Sequence, residues 1–147
     1  MIFFLLACAE DVKDSGMSEE DSQLWEEISG YQDWNQLDNW QGIFPSQSVH
    51  GASMQTWYNQ IAFDALVNEE ASMPENAIVV KEGYLDETGN DINTITVMKK
   101  IAAYNPDAGD WYWASFAVDG SVNTSGTVDF CISCHAASQR DYLLIEP

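Results

Sequence analysis

The residues best equipped for chemistry stand near the C-terminus, in Cys131-Ile132-Ser133-Cys134-His135. Cys-x-x-Cys-His is the attachment signature of c-type haem. Two thiols at i and i+3 lie on one side of a helical turn. There they can add across the two vinyl groups of a porphyrin and become thioethers. The adjacent His135 then reaches the iron as its proximal ligand.

Two other chemistries use a Cys-x-x-Cys pair. Structural zinc draws on four Cys or His ligands, and this chain carries three Cys and two His. A zinc site built from Cys131, Cys134, His135 and His50 would be cramped, because adjacent Cys134 and His135 would have to bind one ion. A redox dithiol of the thioredoxin kind needs a βαβ context, and the surrounding sequence has none. The motif therefore favours one covalently attached haem c, with the chemistry carried mainly by its iron.

Everything else in the chain must position that group. At 147 residues, 46% apolar and 12% aromatic, it is long enough for one domain with a real core and some tail to spare. Six Trp, six Tyr and six Phe suit a chain that wraps a large flat cofactor, though aromatic residues also fill β-rich cores. The formal net charge is −19, from 24 acidic residues against five Lys and Arg. No basic stripe exists to neutralise phosphates, which excludes nucleic acid as a partner. An acidic surface steers basic proteins toward it; it also serves plain solubility.

The N-terminus reads MIFFLLA before Cys8. The run is too short to span a bilayer, is short for a signal peptide, and lacks a basic leading region. Leu5-Leu6-Ala7-Cys8 nevertheless resembles a bacterial lipobox, in which the Cys is lipidated and becomes the mature N-terminus. The expectation is a lipoprotein-type leader over residues 1–8 whose start lies upstream, with membrane anchoring through Cys8. Haem c attachment already implies export, so a periplasmic location follows.

Residues 9–17 then read as an acidic, solvated tether, and residues 18–147 as the haem domain. Ser18 opens a helix with Glu19, Glu20 and Asp21 in its first turn, where the dipole favours them. Leu24, Trp25, Ile28 and Tyr31 follow at helical spacing. Gly30 interrupts, and Trp34, Leu37 and Trp40 predict a second short helical face. Strands are expected over residues 49–58, 77–84, 94–104 and 111–118, with a short helix over 61–67 capped by Asn59. Turns fall at 86–91, 105–110 and 119–120. The fold class is mainly antiparallel β (α+β): a meander sheet with N-terminal helices and a C-terminal haem-binding helix.

Several stretches together resemble the cytochrome P-460 family, which also contains the cytochromes c′-beta. They are His50-Gly51, MPENAIVVKEGY from Met73 to Tyr84, TVMKK from Thr96 to Lys100, YNPDAGDWYWASF from Tyr104 to Phe116, and CISCHAASQRDYLL from Cys131 to Leu144. The resemblance implies one haem c on a mostly antiparallel β fold, a homodimer, and an iron with one protein ligand and an open distal face. Such a site binds small nitrogenous ligands. Cytochromes P-460 oxidise hydroxylamine and pass electrons to a redox partner such as a soluble cytochrome c; some members bind nitric oxide without turnover.

The same resemblance implies a lysine bonded through its amine nitrogen to a porphyrin meso carbon. Lys81, in VVKEGY, matches that position; Lys99 and Lys100 lie on a different strand. The alternative is a Lys81 left uncrosslinked or snorkelling beside Glu82. In a strand, His50, Ala52 and Met54 share one face, which makes His50 and Met54 candidate pocket residues. Three roles stay open to His50: accepting a proton from bound hydroxylamine, ligating the iron in a six-coordinate electron carrier, or packing before Gly51. Characterised members use an arginine and a carboxylate here. The matching strand has no arginine, the lone Arg140 follows the haem motif, and Asp129 is the nearest carboxylate.

Overall fold

A computed structural model describes residues 16–144 of the chain. Its framework is one six-stranded antiparallel sheet with spatial order β1-β2-β3-β4-β5-β6, a plain meander. The strands are β1 (Phe44–Ser48), β2 (Gly51–Tyr58), β3 (Ile78–Tyr84), β4 (Ile92–Lys100), β5 (Trp111–Phe116) and β6 (Val122–Gly126). Three helices accompany them: α1 (Glu19–Glu27), α2 (Gln60–Val67) and α3 (Asp129–His135). This is the mainly antiparallel β arrangement, with helices at both ends, that the sequence predicts.

Local chemistry explains the helix starts. The Ser18 side chain accepts from the Asp21 N–H at the head of α1, and three acidic residues occupy its first turn. Asn59 caps α2 by accepting from the Ala62 N–H, and the same oxygen accepts from Ile78, tying the helix to β3. The expected second helical face is not a helix. Residues Tyr31–Asp33 and Asp38–Trp40 form two separate 3₁₀ turns, because left-handed Gly30 ends the first run and extended Trp34 and Leu37 prevent its continuation. The sheet also gains β1 and β6, beyond the expected strands, and β4 stops at Lys100.

The sheet buries both faces. On one, α1 and Tyr31 cover Trp57, Ile78, Val80, Ile95, Val97 and Phe116. Here the Tyr31 and Tyr84 hydroxyls and the Gln32 amide donate to the buried Glu82 carboxylate. On the other face, α2, Met73 and Leu143 pack on Tyr58, Val79, Met98, Trp111 and Trp113, with Cys131 and Ile132 of α3 against them. Strand alternation sends Glu82 to the first face and its neighbour Lys81 to the second. Lys81 is therefore buried, 8% exposed, rather than snorkelling beside Glu82.

Candidate functional site

The second face of the sheet opens into a cavity of about 810 Å³ beneath α3, within the roughly 300–1,000 Å³ range of cofactor sites. Cys131, Cys134 and His135 line it from the helix; Met54 of β2, Lys81 of β3 and His50 line it from the sheet side. These six candidate residues thus line one cavity.

Helix α3 carries the motif in seven residues. Cys131 is half-buried and Cys134 exposed, and both are free thiols. Burial and the neighbouring Cys134 hold the Cys131 thiol above its ordinary pKa. His135 is buried, and its Nδ1 lies 2.7 Å from the Tyr142 carbonyl oxygen. A carbonyl only accepts, so Nδ1 carries the proton and Nε2 keeps the free lone pair. This is how a metal-binding imidazole is fixed in one tautomer and one orientation. Trp113 stands edge-on to the same ring, centroids 4.8 Å apart at 70°. Burial lowers the His135 pKa; the Tyr142 carbonyl opposes this and the Lys81 charge adds to it.

His50 occupies the turn between β1 and β2, one residue before the strand that parity reasoning extended to it. Two glycines bring it there. Gly51 has φ +115°, and a methyl group at Gly83 would overlap the His50 carbonyl, so only glycine lets this backbone lie on β3. The Thr96 hydroxyl lies 3.3 Å from the Lys81 carbonyl oxygen and 3.2 Å from His50 Nδ1. With its one proton given to that carbonyl, Thr96 accepts from Nδ1–H and leaves His50 Nε2 unprotonated. The His50 and His135 ring centroids are 6.3 Å apart, with planes at 85°. Burial, then the Lys81 and His135 charges, push the His50 pKa down to about 3.

Burial likewise lowers Lys81 to about 8, with Cys134 pulling the other way. Both ion pairs among the described residues belong to other lysines, Lys99 with Glu27 and Lys100 with Asp141. Of the three lysines considered at the outset, only Lys81 lines the cavity. Arg140 donates to the Ala65, Leu66 and Glu70 carbonyls and so closes the end of α2. Asp129 is exposed in the first turn of α3. Neither residue serves the cavity. Sequence reasoning missed Thr96, Trp113 and the Tyr142 carbonyl. Thr96 and Trp113 stand in the quoted motifs, but strand register alone tells which face they join. Cys8 lies outside the described residues.

The residues present fit a porphyrin. Among the described residues, no group of three or more His, Cys, Asp or Glu stands together to hold a metal ion. His135, its Nδ1 held by the Tyr142 carbonyl, would hold the iron of a haem, whose remaining donors the macrocycle would supply. The Trp113 indole N–H is buried without a partner, a donor available to a polar substituent of a cofactor.

On this antiparallel β scaffold, an apolar cavity lined by an imidazole held in its metal-binding tautomer offers the donor a haem iron would take. A model of the cytochrome P460 family matches residues 28–145, most of the chain, and the protein belongs to that family. A search of curated proteins finds no match.

Proposed function

We propose that this protein is an exported, monohaem c-type cytochrome that oxidises hydroxylamine and hands the electrons to a basic redox protein such as a soluble cytochrome c. One observation carries the reading: two imidazoles, a buried amine and both motif thiols line a single cavity. Cys131 and Cys134 would hold the porphyrin as thioethers, and His135 Nε2 would hold the iron. Haem bound there supplies an electron sink and a coordination position for a small nitrogenous ligand.

The protein's own residues handle protons. Oxidising hydroxylamine releases protons with the electrons, and His50, its Nδ1 beside Thr96, would turn its Nε2 to the cavity as the acceptor. Its basicity is held down partly by the Lys81 charge. Bonding the Lys81 nitrogen to a meso carbon would remove that charge and strengthen the base. That bond replaces one N–H and one C–H, releases two protons and two electrons, and so needs a two-electron oxidant such as a peroxide. Met54 and Trp113 line the cavity beside these groups. The acidic composition favours a basic acceptor protein. A lipid anchor at Cys8 and a homodimer belong to the same proposal.

One distance supports a second reading. Two imidazoles that bond opposite sides of one metal ion at about 2 Å stand with ring centroids roughly 6 Å apart. The observed 6.3 Å suits His50 as a second axial ligand in an electron-transfer cytochrome. The deciding experiment pairs intact mass and optical spectra of the purified protein with hydroxylamine-dependent reduction of an acceptor dye. Turnover supports the enzyme. A low-spin spectrum that ignores added ligands supports the electron carrier. Nitric oxide binding without turnover supports a binder of the c′-beta kind. A colourless protein with the mass of the bare chain overturns all three.

A further inference from the structure

Beyond the cavity, a buried ion pair reaches the proximal imidazole through one short stretch of backbone. We infer that Lys100 and Asp141 are positioning residues that set the donor strength of His135. The inference rests on His135 being the iron ligand.

Lys100 ends β4, and its side chain is 10% exposed, beside an Asp141 side chain at 8%. Its ammonium group lies 2.8 and 3.0 Å from the two Asp141 carboxylate oxygens and 2.6 Å from the Gly109 carbonyl. The same carboxylate accepts from the Met73 N–H at 2.6 Å and the Ser72 hydroxyl at 3.2 Å. The Trp111 indole N–H donates to the Asp141 carbonyl at 2.9 Å. Asp141 is thus gripped at both ends by groups from β4, β5 and the segment before β3.

That grip has a conformational consequence. Asp141 and Tyr142 both adopt left-handed backbone, φ 44° and 64°, which non-glycine residues avoid. Consecutive residues stay there only when the surroundings over-determine them. The result turns the Tyr142 carbonyl onto His135 Nδ1 at 2.7 Å. Without the clamp, the stretch has every reason to relax to ordinary φ, and the carbonyl leaves the ring. An imidazole whose Nδ1–H is firmly bound donates more strongly through Nε2. A stronger donor favours ferric over ferrous iron and lowers the reduction potential.

Lys100→Met in the haem-loaded protein tests this with a sign. Losing the clamp weakens the donor and raises the potential. We expect about a tenfold change in the reduced-to-oxidised ratio, the size typical of removing an outer partner; for one electron that is about 59 mV. Loss of a nearby positive charge alone would lower the potential instead. Asp141→Asn, which keeps the size and can still accept from Met73, should also raise it. Neither variant needs to turn over substrate to be read. A rise in Lys100→Met supports the inference; a fall or no change overturns it.

Should Lys100→Met fail to fold, the ferrous iron–histidine stretching frequency of Asp141→Asn decides, because loss of the carboxylate charge alone would also raise the potential; a frequency below wild type supports the inference and an unchanged one overturns it. The wild-type protein gives an independent reading. Its ferrous iron–histidine stretching frequency should lie above that of an imidazole with a free N–H, and a value at or below that of the free ligand overturns the idea. A purified protein without haem would end the functional proposal, whereas haem-loaded variants with an unmoved potential end this inference alone.

Discussion

His50 and His135 face one another across the same cavity, ring centroids 6.3 Å apart and planes at 85°. His135 has spent its Nδ1–H on the Tyr142 carbonyl, and His50 has spent its own on Thr96. The two free nitrogens have different duties. Replacing His50 with Ala should cut hydroxylamine-dependent dye reduction by about 10²–10⁴-fold, the usual worth of a positioned proton acceptor. Haem content should stay unchanged. If His50 is instead an axial ligand, the same substitution converts a low-spin spectrum to a high-spin one and admits nitric oxide faster. Spectra and steady-state rates of the one variant separate these outcomes.

The half-buried His50 and buried His135 imidazoles also set an acid limit on the cofactor-free protein. The folded pKa of His50 is depressed from 6.5 to about 3, and that of His135 is lowered too. Below pH 6.5 the unfolded chain binds protons that the folded chain refuses. Stability is therefore fully present above 6.5 and drains away as pH falls toward 3. His50 alone accounts for a loss on the order of a few kcal/mol, a large share of the roughly 5–15 kcal/mol of an ordinary domain. Urea titrations of a Cys131→Ala, Cys134→Ala protein should show the midpoint falling steeply over that window. Adding His50→Ala should flatten much of the slope.

The parts of this fold legible from sequence are those with local chemistry. Ser18 and Asn59 announce their helices because caps are side-chain events. The Val79, Val80 and Val97 runs announce central strands because β-branched residues suit a sheet buried on both faces. The strands that went unread are the edges. Phe44–Ser48 and Val122–Gly126 carry Pro, Ser, Asn and Gly, which an edge strand tolerates because one side need not pair. The site divides the same way. Cys131, Cys134 and His135 carry their chemistry in adjacent positions. Tyr142 contributes a backbone carbonyl, which has no side-chain signature, and Thr96 reaches His50 only through a register set across three strands.

Lys81 should report its burial through pH. Its amine is lowered from 10.5 to about 8. The folded chain thus refuses a proton that the unfolded chain holds between pH 8 and 10.5, so cofactor-free stability should rise with pH across that window. Lys81→Met should abolish the rise and stabilise the cofactor-free protein near pH 7 by on the order of 1–3 kcal/mol. In the haem-loaded protein the neutral amine would be the nucleophile for the proposed bond to the porphyrin. Crosslinking under a peroxide should accelerate as pH rises toward the lowered pKa of the amine and level off above it. Peptide mass spectrometry checks the site: a haem-bonded fragment containing Lys81 is expected, and its absence at every pH would show the amine unreactive.

Gly83 tests whether the placement of His50 is built into the sheet. Its backbone is not left-handed, so an added methyl meets no intrinsic strain; it meets the His50 carbonyl. Backbone cannot swing aside as a flexible side chain would, and the turn between β1 and β2 must lift. Gly83→Ala should therefore lose about 1–3 kcal/mol of stability and, with it, most of the hydroxylamine-dependent rate attributed to His50. Gly42 provides the contrast. It has φ +82° and nothing within 4 Å of the added carbon. Gly42→Ala should lose about 1–2 kcal/mol through backbone conformation alone while leaving the rate intact. Urea midpoints and dye-reduction rates of the two variants, measured side by side, distinguish a glycine that shapes the site from one that shapes only a turn. Equal rate losses in both would mean that His50 depends on general stability, not on the close approach at Gly83.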